Sequence, residues 1–561
     1  MGVFRVPVGG EDFDEIRQKG SYYVDKTGLV YELVHNTENK VTLFTRPRRF
    51  GKTLNMSMIG SFFDITRDSR AVFEGLEVSR HEDFCREWMN QRPVLFVTFK
   101  DIERLSFEAA MNEMKTTLSN VCHTMPFLEE SNRVSKEDKT TFSKLKAREV
   151  SLDDLTSSVF TLARMLEAHF GKKAVILIDE YDVPLAMANE NGYYREMLDV
   201  MRAVFKYAVK TNPYLEFAVI TGCLRIAKES IFTGTNNFAS YSILDKEFSE
   251  YFGFTHAEVK TMLKAAGLED KAGTVQSWYD GYIFGDSAVY CPWDVANYVA
   301  AAARDPDAQP QNYWNNTSGN AILNAFAERE FAGVQDKFEA LMNGQPIEQI
   351  IGDDLTYDAL RRQDGTVDEE GLWSVLMMTG YLTKADPKER GALVKLRIPN
   401  REVGQLFQRA VVDRFKKNLD QTRQQAMMRA LWEGDEAQAS ELISDFLWQT
   451  VSYNNYHEDY YHAFLAGIFT GLGYSVDSDR ERGLGRVDIE VRDRANRRAL
   501  IVEAKKAESE GAMGRACDEA LRQISKNRYA EDESFYGYRT ILCYGVAFYK
   551  KSALVKKLEG C

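Results

Sequence analysis

In the last quarter of this 561-residue chain, Asp488 and Glu503 are separated by fourteen residues, and Lys505 follows two positions later. Asp488 sits in one apolar run, 487–491, and a second run, 499–502, leads into Glu503-Ala504-Lys505. Two carboxylates on adjacent strands can hold Mg2+ or Mn2+ through oxygen ligands, which hard cations prefer. Such an ion polarises a phosphoryl oxygen and lowers the pKa of a bound water. A lysine beside the second carboxylate orients that water or stabilises developing negative charge. Strand alternation puts Glu503 and Lys505 on one face and Ala504 on the other, which leaves the Ala504 carbonyl as a further metal ligand. The chemistry served by this spacing is hydrolysis of a phosphodiester bond.

Other elements must hold that hairpin. From His457 the chain reads as a helix with apolar residues at helical spacing, then a glycine-containing turn and a strand. Glu458 lies at the helix start, within reach of the same metal centre. ACDEALRQISKNRY, after the hairpin, reads as an amphipathic helix carrying Gln523 and Tyr529, and TILCYGVAFY as a last strand. Helix, strand, strand pair, helix and strand in that order indicate α/β layers.

At these residues the chain resembles the PD-(D/E)XK nuclease superfamily, of restriction-endonuclease-like fold, over roughly 451–561. The resemblance implies that Asp488, Glu503 and Lys505 are the catalytic set. It implies Glu458 as the helical acid and Gln523 with Tyr529 as an accessory pair. The first motif departs from the family pattern, with Val487 where proline often stands.

A second set of chemical residues lies near the N-terminus. TLFTRPRRFGKTLNMSMIGSFF begins as a strand, 40–45, passes through a loop and enters a helix. Gly51-Lys52-Thr53 ends a P-loop, in which backbone N–H groups and a helix N-terminus face phosphate, with Lys52 on the β/γ-phosphates and Thr53 on Mg2+. Arg46 occupies the position of the first P-loop glycine, and Pro47-Arg48-Arg49-Phe50 fill the interior. Farther on, the apolar run 175–178 ends in Asp179-Glu180, the pattern of a buried parallel strand. This strand is expected beside the P-loop strand, with Asp179 in the Mg2+ shell and Glu180 activating the attacking water. LEFAVITGCLRIAKES places Thr221 and Arg225 just past the end of another strand, where Arg225 or Lys228 could read a γ-phosphate. RPVLFVTFKD adds a further central strand, and alternation of strands with helices predicts a parallel, doubly wound sheet. The nucleotide-binding set expected here is Arg46, Arg49, Gly51, Lys52, Thr53, Asp179 and Arg225, with ATP as ligand.

These strings, with FRVPVGGEDFDEIRQKGSYYVDKTGLVYELV, WYDGYIFG, CPWDVANYV, YWNNTSGN and LWSVLMMTGYLT, resemble the AAA-ATPase-like family often fused to a PD-(D/E)XK domain. The resemblance covers almost the whole chain, and the family shares the substitution seen at Arg46.

Composition bounds the rest. Hydrophobic content of 44% and charged content of 28% describe an ordinary globular protein. No apolar run is long enough to span a membrane, and the first residues lack a signal-peptide core, so a cytoplasmic protein is expected. Val6 replaces the Ser or Thr that a myristoylation signal requires. Seven cysteines without C-x-x-C pairing suit a reducing compartment and form no zinc site. A net charge of −13 argues against a general polyanion binder. The acidity lies upstream, because 451–561 holds roughly 18 basic and 17 acidic side chains. Arg480, Arg482, Arg486, Arg492, Arg494, Arg497 and Arg498 cluster around the expected nuclease site.

Three domains are expected: 1–245, an AAA-ATPase-like P-loop domain; 246–450, a helical lid or winged-helix-like middle region; and 451–561, the nuclease domain. In the middle, Thr255 before Glu258 predicts a capped helix, and a helix followed by a β-hairpin is expected from about 369 onward. No Pro/Gly/Ser linker precedes the nuclease, which predicts rigid coupling. The expected function is an ATP-gated, Mg2+-dependent nuclease with DNA as its partner. The competing expectation is a nucleotide-driven switch that forms a homo-oligomer and whose nuclease fold only binds nucleic acid or a partner.

Overall fold

The P-loop strand β1 (Val41–Thr45) is buried at every residue, as are all residues of β3 (Ala174–Asp179). Strands covered on both faces need helices on both sides, and the computed structural model shows that arrangement. It describes residues 4–35, 39–210, 212–225, 238–314, 323, 334–352, 369–389, 391–418, 421–450, 458–471, 474–482, 485–531, 535 and 537–559. With β2 (Val94–Thr98), β4 (Leu215–Gly222) and β5 (Phe238–Tyr241), these strands form a parallel five-stranded sheet of order β2-β3-β4-β1-β5. The doubly wound parallel sheet is therefore present.

One expectation about it fails. β3 does not lie beside β1, because β4 pairs with both. A strand that is apolar on both faces can pair along either edge, so its sequence does not name its neighbours. The inserted β4 brings Thr221, its penultimate residue, to the end of β3.

The chain forms two compact units. The first comprises 1–313 and 348–401, and the second 314–347 and 402–561. The chain thus passes between units three times, and the expected middle region, 246–450, is divided between them. In the first unit, β6 (Phe254–Thr255), β7 (Tyr282–Phe284) and β8 (Ser287–Tyr290) form a small antiparallel sheet. The helix His256–Ala266 starts with the expected capping box between Thr255 and Glu258. The expected helix and hairpin are Glu369–Met378 and β10 (Thr383–Lys384) with β11 (Leu393–Arg397), which also lies beside β9 (Ile347–Ile350).

The second unit is built on a mixed sheet of order β12-β13-β14-β15-β16: Ser475–Arg482, Gly485–Asp493, Arg498–Lys506, Thr540–Tyr549 and Ser552–Lys557. Only β14 and β15 pair in parallel; the other neighbours are antiparallel. The sequence reading stopped at β15 and missed β16, whose short SALVKK string has a weak strand pattern. Residues of β15 alternate between two packing layers. Cys543 and Ala547 join clusters containing Ile524 and Cys517 of the helix Met513–Asn527. Phe548 stacks on Tyr461 of the helix Glu458–Gly471, with ring centroids 4.3 Å apart. A Cβ on Gly545 would lie 2.7 Å from the Cys517 carbonyl oxygen, so glycine is what lets the C-terminal helix approach the sheet this closely.

The edge strand β16 is covered by the helix Glu436–Thr450. Side chains one turn apart on that helix take its free N–H groups: Glu436 accepts from Lys557, Ser440 from Val555 and Ser444 from Ala553. This blocks the unpaired edge from recruiting another strand. Among the described residues, no helix is long and apolar enough to cross a membrane. Cys85, Cys122, Cys223, Cys291 and Cys517 are free thiols.

Candidate active sites

The hairpin residues converge where β13 and β14 part, inside the sheet. Ladder pairing between β13 and β14 stops at Ile489 and Val502. Just beyond, the Asp488 carboxylate replaces a backbone acceptor, and the Ala504 N–H donates to its Oδ2 at 2.9 Å. The side chain has taken over a ladder bond, which fixes its direction. His462 Nε2 lies 3.1 Å from the same oxygen and 3.5 Å from the Ala504 carbonyl oxygen. Burial alone would raise the Asp488 pKa. The hydrogen bond and charge of His462, the Ala504 N–H and the Lys505 charge outweigh it, and the carboxyl is held below its ordinary range.

Glu503 behaves in the opposite way. Its side chain is 0% exposed, and neither carboxylate oxygen has a hydrogen-bond donor among the described residues. Lys505 Nζ is 3.5 Å from Oε1, an ion-pair distance but too long for a good hydrogen bond. Burial and then the neighbouring Asp488 charge push the Glu503 pKa up to about 8. Two carboxylates that repel each other, one with orphaned oxygens, are suited to a divalent cation, which satisfies both at once. Asp488, Glu503 and the Ala504 carbonyl are the groups that would hold it. Among the described residues no group of three or more His, Cys, Asp or Glu side chains forms a metal cage. A site with two carboxylates leaves most of the shell to water and phosphate oxygen, as Mg2+ favours.

The supporting residues fall out unevenly. Asn527 Nδ2 donates to the Tyr529 hydroxyl at 2.8 Å, Gln523 also acts on that phenol, and the phenol senses the Glu503 and Asp488 charges. Tyr529 is not on the helix as expected. Arg528 adopts φ 53°, a left-handed cap that ends the helix at Asn527, and Tyr529 starts the next turn. Glu458 opens its helix as expected, but its side chain lies outside the described residues, as does His457. His462 went unnoticed in the sequence. It stands four residues after Glu458, and that helical spacing was the available signal. Of the arginine cluster, Arg492 pairs with Glu490, and Arg498 pairs with Asp493 at 2.8 Å beneath Trp432. Arg494 and Arg497 are exposed, while the side chains of Arg480, Arg482 and Arg486 lie outside the described residues.

In the first unit, Gly51 at φ 82° turns the loop into the helix Lys52–Phe63. Thr53 Oγ1 donates to Asp179 Oδ2 at 2.8 Å, and Thr221 donates to Oδ1. The Thr53 hydroxyl and the Asp179 carboxylate therefore meet, as a shared Mg2+ would require. Lys52 Nζ donates to the carbonyl oxygens of Arg46 and Pro47 at 3.0 Å each and lies 3.5 Å from Cys223 Sγ. Burial opposes its charge, but Cys223, Glu180, Asp182 and Asp179 together raise its pKa. Glu180 has φ 53°, unusual for a residue with a side chain, and strain of this kind concentrates at functional positions. Burial raises its pKa above the ordinary carboxylate range. Asp182 accepts from the N–H groups of Cys223 and Leu224 and so braces the loop after β4.

Arg46 and Arg49 are tied to the protein itself. The fully buried Arg46 guanidinium donates to the carbonyls of Thr45 and Tyr241 and lies over the Phe252 ring. Arg49 donates to the Tyr313 carbonyl at 2.7 Å and stacks 4.3 Å from the Trp293 ring. Arg48, outside the expected nucleotide-binding set, is the exposed arginine of the loop and feels the Cys223, Asp182 and Glu180 charges. Arg225 is partly buried just past β4, and Lys228 lies outside the described residues.

Residues 7–232 match the family model of a predicted AAA-ATPase, and residues 456–558 match that of the PD-(D/E)XK nuclease superfamily. The chain joins an AAA-ATPase-like domain to a PD-(D/E)XK nuclease superfamily domain. A protein of Azotobacter chroococcum mcd 1, described as "Uncharacterized protein in vnfD 5'region", is 25% identical over 578 residues, covering 99% of this chain and 98% of the relative. That similarity spans both regions. The nuclease superfamily match makes the Asp488–Glu503–Lys505 cluster the candidate hydrolytic centre of this fusion.

Proposed function

We propose that this protein is a metal-dependent nuclease acting on DNA, with cleavage gated by ATP at the P-loop. The observation that carries the reading is Glu503: fully buried, with Lys505 Nζ 3.5 Å away as its nearest cation and no well-formed hydrogen bond to either oxygen among the described residues, and beside Asp488. A purely structural site would leave that acid to be replaced by an apolar residue, since burying an unsatisfied carboxylate is costly. A bound Mg2+ or Mn2+ would supply Lewis acidity at the phosphoryl oxygen and an activated water. Asp488 and Glu503 hold such an ion, His462 orients Asp488, and Lys505 presents its ammonium where negative charge develops. Gln523 and Tyr529 are the accessory pair in this reading, and the Tyr529 phenol feels the Glu503 charge.

At the other site, Lys52, Thr53 and Asp179 bind Mg-ATP, Glu180 is the candidate base, and Arg48 is an additional phosphate contact. Gating is proposed because the P-loop residues and the Asp488–Glu503–Lys505 cluster lie on one chain, in the two regions matched by the ATPase-like and nuclease family models. The test uses purified protein with plasmid and linear DNA, with Mg2+ or Mn2+, with and without ATP. Cleavage that requires the metal, responds to ATP and disappears in Asp488→Ala is expected. Cleavage that survives Asp488→Ala, or none under any condition, overturns the reading.

A further inference from the structure

On the helix Glu436–Thr450, the three side chains that seal β16 are spaced four apart, and the next position in that series is Trp448. It is 61% exposed. Lys551, in the turn between β15 and β16, places its Nζ 4.9 Å from the Trp448 ring centroid. In the same turn Lys550 lies 5.5 Å from the Tyr549 ring. The turn is anchored from below, because Tyr461 donates to the Lys550 carbonyl at 2.8 Å. Tyr461 is the neighbour in sequence of His462, which contacts Asp488.

A single exposed tryptophan is ordinary on a protein surface. This one is paired with cations, and strand register sets its place relative to the hydrolytic centre. Glu503 pairs with Gly545 and Lys505 with Ala547 across the parallel β14–β15 ladder, so the turn follows directly at the same sheet end. Four residues along a strand and two strand spacings across put the Trp448 turn on the order of 15–20 Å from Glu503. That is about five nucleotides at the rise of one DNA strand.

We propose that Trp448, with Lys551 and Lys550, is a stacking platform for unpaired bases of the nucleic-acid strand that occupies the hydrolytic centre. Aromatic rings accept any base by stacking, and neighbouring lysines neutralise its phosphates. The platform sets how far the bound strand extends and contributes to binding without taking part in bond cleavage. This inference rests on the nuclease reading.

The test uses the full chain and a fluorescein-labelled oligothymidylate of about 16 nucleotides, a length matched to known stacking-groove sites. Binding is measured in EDTA, followed by cleavage kinetics with Mg2+ or Mn2+. Trp448→Ala is expected to weaken binding roughly tenfold, and Trp448→Phe to retain most of it, because each stacked base contributes about 1–3 kcal/mol. In cleavage, KM rises with Trp448→Ala while kcat holds. Lys551→Ala is expected to lower the salt slope of binding by about one. A Trp448→Ala protein that melts like wild type and binds the oligonucleotide equally well overturns the platform. Wild-type protein that binds the oligonucleotide through Trp448 yet never cleaves overturns the nuclease reading and leaves the platform standing. Failure of the wild type to bind the oligonucleotide overturns the platform, whatever it cleaves.

Discussion

The P-loop site and the proposed hydrolytic centre handle buried charge in opposite ways. At the P-loop, Lys52 caps two carbonyls of its own loop, and both Asp179 oxygens accept from threonine hydroxyls. Its central groups are satisfied before any ligand arrives, so nucleotide must exchange existing hydrogen bonds for new ones. At the proposed hydrolytic centre, Glu503 has no well-formed hydrogen bond among the described residues, and its pKa is displaced to about 8. There a cation relieves an existing penalty, so metal binding and local stability are linked. One site is self-satisfied, whereas the other carries an electrostatic penalty that a cation would relieve.

The hardest blow to this contrast comes from Asp488→Ala. It removes one of the two carboxylates and is expected to lower metal-dependent cleavage about 1,000-fold or more while ATP binding persists. A cleavage assay paired with nucleotide titration reads both, and loss of ATP binding as well would show that the sites are not separable. Next in size is Lys52→Ala, expected to weaken ATP binding roughly 30- to 100-fold through loss of charge-assisted hydrogen bonds. The mutant should keep metal-dependent cleavage but lose its response to ATP, measured on the same substrate across ATP concentrations.

His462→Ala tests the positioning of Asp488. Partners outside the metal shell typically matter by a factor of ten or more, so cleavage is expected to fall roughly tenfold. The acid limb of its pH profile should move upward, because Asp488 loses the partner that holds its pKa down. An unchanged profile would make His462 merely a packing residue.

The smallest effect is the pH dependence of cation binding. Glu503 keeps its proton in the folded state at pH values where the unfolded chain has lost it. The folded state therefore binds more protons, and the contribution of Glu503 to stability declines as pH rises from the ordinary carboxylate range toward about 8. A cation must displace that proton, so affinity should climb by at most tenfold per pH unit and level off above about 8. Calorimetric titration of Mg2+ or Mn2+ into the apoprotein across that range checks this, and a flat profile would remove the tension ascribed to Glu503. Glu503→Gln should abolish the slope and, without metal, raise the thermal midpoint at alkaline pH.

Much of both sites was legible in the chain because strand and helix periodicity are local. Alternation placed Glu503 with Lys505, and the GKT string after an apolar run placed Lys52 and Thr53 at a helix start. Thr255 and Glu258 announced their capping box by spacing alone. Less legible were residues whose roles depend on distant partners. Arg46 and Arg49 read as phosphate ligands, and only the folded loop shows them bound to Tyr241 and Tyr313 carbonyls. His462 carries no mark in the sequence, and only the folded helix brings its Nε2 within 3.1 Å of Asp488. Tyr529 was assigned to a helix that a left-handed Arg528 brings to an end.

By itself, then, the amino-acid sequence determined which residues can do chemistry, which strands and helices carry them, and the two α/β layers, because these follow from residue type and local period. Tertiary structure alone decided the order of strands that are apolar on both faces, and so put β4 and Thr221 between β1 and Asp179. It also decided which charges are spent on the protein's own backbone and which are left unsatisfied. That division depends on burial and on partners far apart in the chain, and it is what separates the satisfied P-loop from the strained Glu503 centre.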